Sequence, residues 1–354
     1  MTTYYVTTSG SDSNNGLTEG TAFATPGYAA GQATASGDII YIKTGTYTLS
    51  TTTVNASGGP ISIAHDVHVE GYQSTAGDRA ARPVINAGTQ AASYVVRFAS
   101  PGYLTNPGNI CRSVEVDGNS VATIGFDSQQ AYTGLYENCL ARNCTTGFQA
   151  ATNNNQGFFA NCTALDCSGN GFSYGVCTMC LADSCNKGFF GSRHYFNCIA
   201  TGNTSHGFDV AGTFPQQTVR CIAYANGGSG FRQNHEICFY SQCISMSNTQ
   251  YGWSLGNSNS SPMTFDCADY GNTLGRHIST STTREVRPIN LTADPFTSAS
   301  TGDFTLNNDA GGGAELRQIQ LSGLAGVNGV FDVGAIDAVV TAGGGAVLHP
   351  LRSN

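Results

Sequence analysis

The side chains best equipped for chemistry lie close together in the middle of the 354-residue chain: Arg142, Asp166, Asp183, Lys187, Arg193, His194 and His206. An arginine or lysine beside carboxylates can stage proton transfer, and two carboxylates set across a bond can divide acid and base roles. Arg142, Asp166 and Asp183 are the candidates for such work. Their spacing argues against them, because Asp166 and Asp183 occupy neighbouring repeats offset by one position and need not share a face. Each reads as a solvated surface or turn residue, and no catalytic set is assigned. The other reactive groups are 13 cysteines. Cys177-Thr-Met-Cys180 has the spacing of half a zinc site, but no second pair completes four ligands. No metal and no cofactor is expected.

Most of the cysteines belong to a repeated phrase. Cys139-Leu-Ala-Arg-Asn-Cys144, followed by Gly147-Phe148, returns at Cys162 to Cys167 with Gly171-Phe172 and at Cys180 to Cys185 with Gly188-Phe189. It continues at Cys198 to Asn203, Cys221 to Asn226 and Cys243 to Asn248, each with Gly and an aromatic four and five residues on, and ends at Cys267 to Asn272 without the aromatic. Successive first cysteines are 23, 18, 18, 23, 22 and 24 residues apart. A period near 20 marks a solenoid. Cysteine, then a small residue two on, places both on one inward face of a strand. No copy has a helical run of ten or more residues. Each coil is therefore short strands joined by turns, stacked in parallel on its neighbours.

Stacking converts each column into a ladder. The first cysteines act as small buried hydrophobes with free thiols. The second column changes from Cys144, Cys167 and Cys185 to Asn203, Asn226, Asn248 and Asn272, where asparagine can take left-handed backbone and bond to the coils above and below. The aromatics stack in the core. The repeat begins before the cysteines do, with Val114 in the cysteine column and Asn119 in the corner column.

Inward asparagine ladders, stacked aromatics and loose coil length resemble the right-handed parallel β-helix family of the pectin-lyase-like type. The opening strand, the polar loop from Ser9 to Gly16, a helix candidate with Thr25 as cap and Pro26 in its first turn, and Gly37-Asp-Ile-Ile-Tyr41 with Gly45-Thr-Tyr47 are similar to that family's N-terminal cap. Asp294-Pro-Phe296, Gly302-Asp-Phe304-Thr-Leu306 and Gly334-Ala335-Ile336 are similar to the run that closes it. The expected fold is all-β, a single-stranded right-handed parallel β-helix solenoid with an N-terminal cap helix and an extended C-terminal tail. Residues 1–53 would form the cap and first coils, 54–278 the coils, 279–338 the closing segment and 339–354 a flexible tail. The family includes lyases, hydrolases, phage spikes and structural proteins, so the resemblance implies little about activity. Neither a polygalacturonase-type aspartate pair nor a lyase-type Asp-His plus Arg signature is present.

A net charge of −8 with only two lysines, Lys43 and Lys187, argues against nucleic acid or an anionic membrane as partner. No apolar run is long enough to span a bilayer. The column after each first cysteine should point outward, yet it reads Leu140, Thr163, Leu181, Ile199, Ile222, Ile244 and Ala268. An apolar stripe of this kind marks an interface. Leu140, Leu181, Ile199, Ile222 and Ile244 are assigned to it, with Leu348 and Leu351 in the tail as a second apolar contact. Tyr224 and Tyr270, also outward, could stack on sugar rings.

The chain begins with a strand, without the charged and apolar regions of a secretory leader. The expectation is a non-enzymatic structural protein of a virus-like particle, made in a host cytoplasm and carried in the virion as a phage spike, fibre or capsid-decorating β-helix. Its partners would be further copies, with a trimer favoured, other particle proteins and a surface glycan. The alternative is a pectate-lyase- or polygalacturonase-like enzyme acting on acidic polysaccharide, secreted if a leader was removed.

Overall fold

In each of the seven repeat copies from Cys139 to Cys267, two left-handed residues bracket the strand that follows the first cysteine and set the course of the chain. The computed structural model describes residues 1–63, 66–98, 108–128, 134–150, 157–191, 194–210, 216–233, 238–255, 262–279, 284–317, 338–339 and 347–348. One bend precedes each first cysteine, at Asn138, Asn161, Met179, Asn197, Arg220, Gln242 and Asp266, with φ between 51° and 55°. The other falls at Asn143, Asp166, Ser184, Gly202, Ala225, Ser247 and Gly271, with φ between 51° and 64°. A three-residue strand, such as Leu140–Arg142, lies between the two bends. The left-handed corner thus sits one residue before the asparagine column that was expected to carry it. Each bend costs a non-glycine residue about 1–2 kcal/mol, which the stack around it must offset.

The chain divides into two units, Met1–Val176 and Cys177–Asn354. Each contains three parallel sheets visited in rotation. In the first unit, one sheet runs from Thr3–Val6 through Ile39–Lys43, His68–Tyr72 and Ile110–Arg112 to Leu135–Glu137 and Phe158–Ala160. A second sheet joins Thr46–Thr48, Val84–Asn86, Glu115–Asp117, Leu140–Arg142 and Thr163–Leu165. The third joins Ile61–Ile63, Tyr94–Phe98, Ile124–Ser128, Thr146–Ala150 and Asn170–Ser173. The second unit repeats the pattern. Its second sheet pairs Leu181–Asp183, Ile199–Thr201, Ile222–Tyr224, Ile244–Met246 and Ala268–Tyr270, and its third pairs Lys187–Phe190, Phe208–Val210, Phe231–Gln233, Trp253–Leu255 and His277–Ser279.

Like residues meet in the core as the repeat predicts. Phe126, Phe148 and Phe172 stack with centroids 4.9 and 4.8 Å apart, and Phe189, Phe208, Phe231 and Trp253 do so at 4.7, 4.9 and 5.4 Å. All thirteen cysteines are free and buried. Burial pushes the thiols of Cys111, Cys198, Cys221 and Cys267 well above their ordinary range, and that of Cys238 up to about 12. Asn119 departs from the reading. It is exposed, and its side-chain amide donates to the Gly88 carbonyl at 2.5 Å.

The asparagine ladder satisfies itself. Asn226 Nδ2 donates to Asn248 Oδ1 at 2.8 Å and to the Ala200 carbonyl at 3.1 Å. Its Oδ1 accepts from the backbone N–H and Nδ2 of Asn203 at 3.2 and 2.8 Å. Near the N-terminus, the helix Pro26–Gln32 begins at the proline as read. Thr25 occupies the N-cap position as read, but its side chain makes no capping bond; the Thr25 hydroxyl instead donates to Asp12 Oδ2 at 2.7 Å, while Asp12 Oδ1 accepts the N–H groups of Ala24 and Thr25.

The apolar stripe is corrected by the structure. Leu181, Ile199, Ile222 and Ile244 do face out of the coils, but they are 0–1% exposed. Leu291, Phe296, Phe304, Leu306 and Leu316 of the same unit pack over them. Phe296, Phe304 and Leu306 belong to a separate antiparallel sheet in which Phe296–Ser298 pairs with Asp303–Leu306, while Leu316 lies in the short helix Gly313–Arg317 and Leu291 just follows the strand Ile289–Asn290. Leu140, in the first unit, is 3% exposed. These side chains are core, so the stripe offers no surface to another copy. Leu348 lies in the short strand Val347–Leu348, paired antiparallel with Ala338–Val339. Leu351 and the run from Phe331 to Ile336 lie outside the described residues.

Substituting Asn226→Ala should lower the unfolding free energy by roughly 2–4 kcal/mol, because it removes the buried acceptor of the Asn203 N–H and Nδ2 and the side-chain donor to Ala200 and Asn248, whose Oδ1 keeps only the backbone N–H of residue 226 from this coil. Urea denaturation checks it, and a loss under 1 kcal/mol would show that the ladder is not a stabilising element. Phe304→Ala should loosen the cover at a cost of about 3–5 kcal/mol and raise binding of a hydrophobic dye to the native protein.

Candidate functional site

The residue before each Gly-aromatic pair and the residue after it form two columns on the third sheet of the second unit. The first column holds Lys187, His206, Ser229 and Tyr251. Its coils are locked together by Gly188 N–H to the His206 carbonyl at 3.1 Å, Gly207 N–H to Ser229 at 3.2 Å and Gly230 N–H to Tyr251 at 3.0 Å. The second column, in register on successive strands, holds Phe190, Asp209, Arg232 and Ser254. Inward Phe189, Phe208, Phe231 and Trp253 fix the phase, so Asp209 and Arg232 must leave the opposite side of the sheet.

These columns bring four ionisable groups together. Lys187 Nζ lies 2.6 Å from Asp209 Oδ2 and 4.4 Å from the centre of the Phe190 ring. Arg232 Nε stands 3.7 Å from Asp209 Oδ1, and Arg232 NH1 is 3.0 Å from His206 Nε2. The Ser229 N–H points at His206 Nδ1 at 3.0 Å. The Asp209 side chain is 1% exposed and its Oδ1 has no hydrogen bond, whereas those of Lys187 and Arg232 are 26% and 35% exposed. A buried carboxylate therefore anchors two cations whose outer parts reach solvent.

His206 is held as a neutral ring. Burial pushes its pKa below the ordinary range; Arg232 and Lys187 add to the effect and Asp209 opposes it. The Ser229 N–H and the Arg232 guanidinium face the two ring nitrogens, and a neutral ring, which carries one proton, can accept from only one of them. The passing chain at Gly228 is so close that a Cβ there would lie 2.6 Å from His206 Nδ1.

The candidates read from the sequence do not converge. Arg142 Nε binds Glu115 Oε1 at 2.7 Å and its other arm reaches Asp117 Oδ2 at 3.1 Å, so its charge is used on the second sheet of the first unit. Asp166 is an exposed turn residue in the left-handed bend. Asp183 accepts the Ser184 hydroxyl at 3.0 Å. His194 stacks beside Phe196 with centroids 6.0 Å apart, and Arg193 lies outside the described residues. Tyr224 and Tyr270, both half-buried, pack against the covered stripe, Tyr224 edge-on to Phe304 at 5.6 Å. Lys187 and His206 were among the residues noticed, but Asp209 and Arg232 were missed. The available signal was the position immediately after each aromatic. Among the described residues, no three of His, Cys, Asp and Glu group to hold a metal ion.

No family model matches the sequence, and no curated protein matches it. Solved structures do match the fold. The chain is similar to a rhamnogalacturonan lyase at a TM-score of 0.65 and 17% identity, covering 90% of this chain and 98% of that one. It is similar to the pectate lyase Pel9A at 0.54 and 15%, covering 100% and 93%. It is also similar to ORF18 of Geobacillus virus E2 at 0.50 and 14%, covering 74% of this chain and 55% of that one. The fold is thus the right-handed parallel β-helix, which lyases and a virus protein also adopt.

The depressed pKa of His206 predicts a pH dependence. As pH falls below the ordinary value of 6.5, the unfolded chain takes up the proton before the folded one. Stability should therefore decline on acidification until the folded-state pKa is passed. His68, also depressed, first by burial and then by Arg112, adds to the slope. His206→Gln should flatten the dependence of the urea midpoint on pH between about 7 and 5; an unchanged slope would show that the ring titrates alike in both states.

Proposed function

We propose that this chain is a structural β-helix of a virus particle that binds a carboxylate-bearing glycan through Lys187 and Arg232, without cleaving it. The observation that carries the reading is the state of the cluster. Elimination beside a uronate carboxylate needs a base with a free lone pair. Lys187 is tied to a buried carboxylate at 2.6 Å, and the single ring lone pair of neutral His206 is faced by the Ser229 N–H on one side of the ring or the Arg232 guanidinium on the other. Neither is placed to receive a proton. Both cations keep an exposed side, and Phe190 gives a ring beside them, which suits holding an acidic sugar. The chain's overall charge of −8 does not oppose this, because a local pair of cations outweighs distant screened charge. Fold likeness to the Geobacillus virus protein supports the particle setting.

Calorimetry with oligogalacturonates is the test. Binding should weaken at least about tenfold in Arg232→Ala and in Lys187→Ala, and should fall as salt rises. Unaltered binding in both variants would remove the site. Release of unsaturated uronides by the wild-type protein would establish a lyase in place of a binding module.

A further inference from the structure

A second site of opposite character lies in the first unit. An open cleft of ≈ 320 Å³ is lined by Tyr5, Leu17, Thr18, Glu19, Ser74, Thr75 and Ala76. We propose that this cleft binds a neutral saccharide, one hexose ring lying on the tyrosines. The inference does not depend on the Lys187 and Arg232 reading.

Tyr5 is the aromatic that lines the cleft, and Tyr41, in register with it on the adjacent strand and also facing outward, stands beside it, with centroids 5.9 Å apart and planes 34° apart. Tyr72, fully buried on the same face of the next strand, meets Tyr41 edge-on at 6.1 Å. Such a platform matches the CH-rich face of a sugar ring.

Both walls are preorganised. On one side, the Asp78 carboxylate accepts the N–H groups of Gln73, Ser74, Thr75 and Ala80 at 2.9, 2.7, 2.9 and 3.1 Å. Arg79 then forks onto Glu70 at 2.9 and 3.3 Å, pinning the end of this loop to the sheet. On the other side, Thr18 Oγ1 accepts the Thr21 N–H at 3.2 Å, and Lys43 holds Glu19 Oε2 at 2.7 Å. The ordering that a ligand would otherwise have to impose is already in place.

The polar groups select the charge of the ligand. Glu19 remains 39% exposed, and the hydrogen bond from Lys43 holds its carboxyl below the usual range. A carboxylate accepts paired hydroxyls well and repels another carboxylate. The hydroxyls of Thr18, Ser74 and Thr75 can donate or accept. Lys43 and Arg79, the nearby cations, are matched by Glu19 and Glu70. With both cations already engaged, the cleft offers no ready partner for a uronate carboxylate, which favours a neutral ring.

The test titrates the full chain with neutral trisaccharides of glucose, mannose and galactose, each to about 10 mM, with trigalacturonate as the charged control. At least one neutral ligand should bind. Tyr41→Ala and Tyr5→Ala should weaken that binding about tenfold, whereas Tyr41→Phe, which keeps the ring, should leave it nearly unchanged. Ser74→Trp, on the exposed loop, should block the cleft without touching the sheet, and Arg232→Ala should have no effect. Absence of binding to all three neutral sugars overturns the proposal. So does binding indifferent to both Tyr→Ala changes and to Ser74→Trp, or displacement of the neutral sugar by trigalacturonate in the Arg232→Ala protein.

Discussion

Backbone amides of one coil find their carbonyl partners only on the next, and nearly every other property of this chain follows from that dependence. A three-residue strand is too short to hold itself together, since one coil makes few contacts of its own. It becomes stable when its rungs are matched on both sides. Matching in register puts like residue on like, so whatever occupies an inward slot must tolerate a copy of itself about 4.8 Å away. Phenylalanine does so by offset stacking, cysteine by being small, and asparagine by donating to one neighbour while accepting from the other. The Asn203, Asn226, Asn248 and Asn272 series is the polar solution to the same constraint, and it is buried because every arm has a partner.

The two proposed binding places use the same scaffold in contrary ways. On the third sheet of the second unit, the outward column is populated by cations over one buried carboxylate. On the first sheet of the first unit, the outward column offers tyrosine rings beside a carboxylate that stays at the surface. Neither arrangement alters the inward ladders, because successive side chains of a strand leave opposite faces. Recognition chemistry can therefore vary from rung to rung while the core repeats.

Much of this was legible in the sequence, for a reason that also sets the boundary. Alternation within the Cys-x-Ala phrase states which face of a strand each residue leaves, and seven copies state it seven times. The inward columns, the aromatic stack and the parallel coils were read on that basis. Alternation says nothing of what lies above a face. Leu181, Ile199, Ile222 and Ile244 do leave the outer side of their sheet, as read, but the hairpin carrying Phe296 and Phe304 lies on them. Nothing in the repeat encodes that contact, since it joins the stack to a segment outside the periodic pattern. Asp209 and Arg232 escaped for a narrower reason: they follow the aromatic, whereas the columns read from the sequence followed the cysteine. The left-handed corner was placed one residue late because asparagine, the usual tenant of such geometry, here serves as a ladder and leaves the bend to Ala225 or Ser247.

The cover over the apolar stripe also gives the chain a timetable. Ribosomes deliver a protein from its N-terminus, so the stack carrying Ile199, Ile222 and Ile244 emerges before the residues that shield it. The interval from Ile244 to Phe304 is 60 positions, or about 3–12 s at ordinary rates of synthesis. Throughout that interval each nascent chain displays a greasy strip beside an open sheet edge, the two features that drive neighbouring chains on one message to stick together. Crowded translation would thus endanger this protein more than its finished surface suggests, and a chaperone that shields the strip until residue 304 has emerged would matter more to its yield than any gain in final stability.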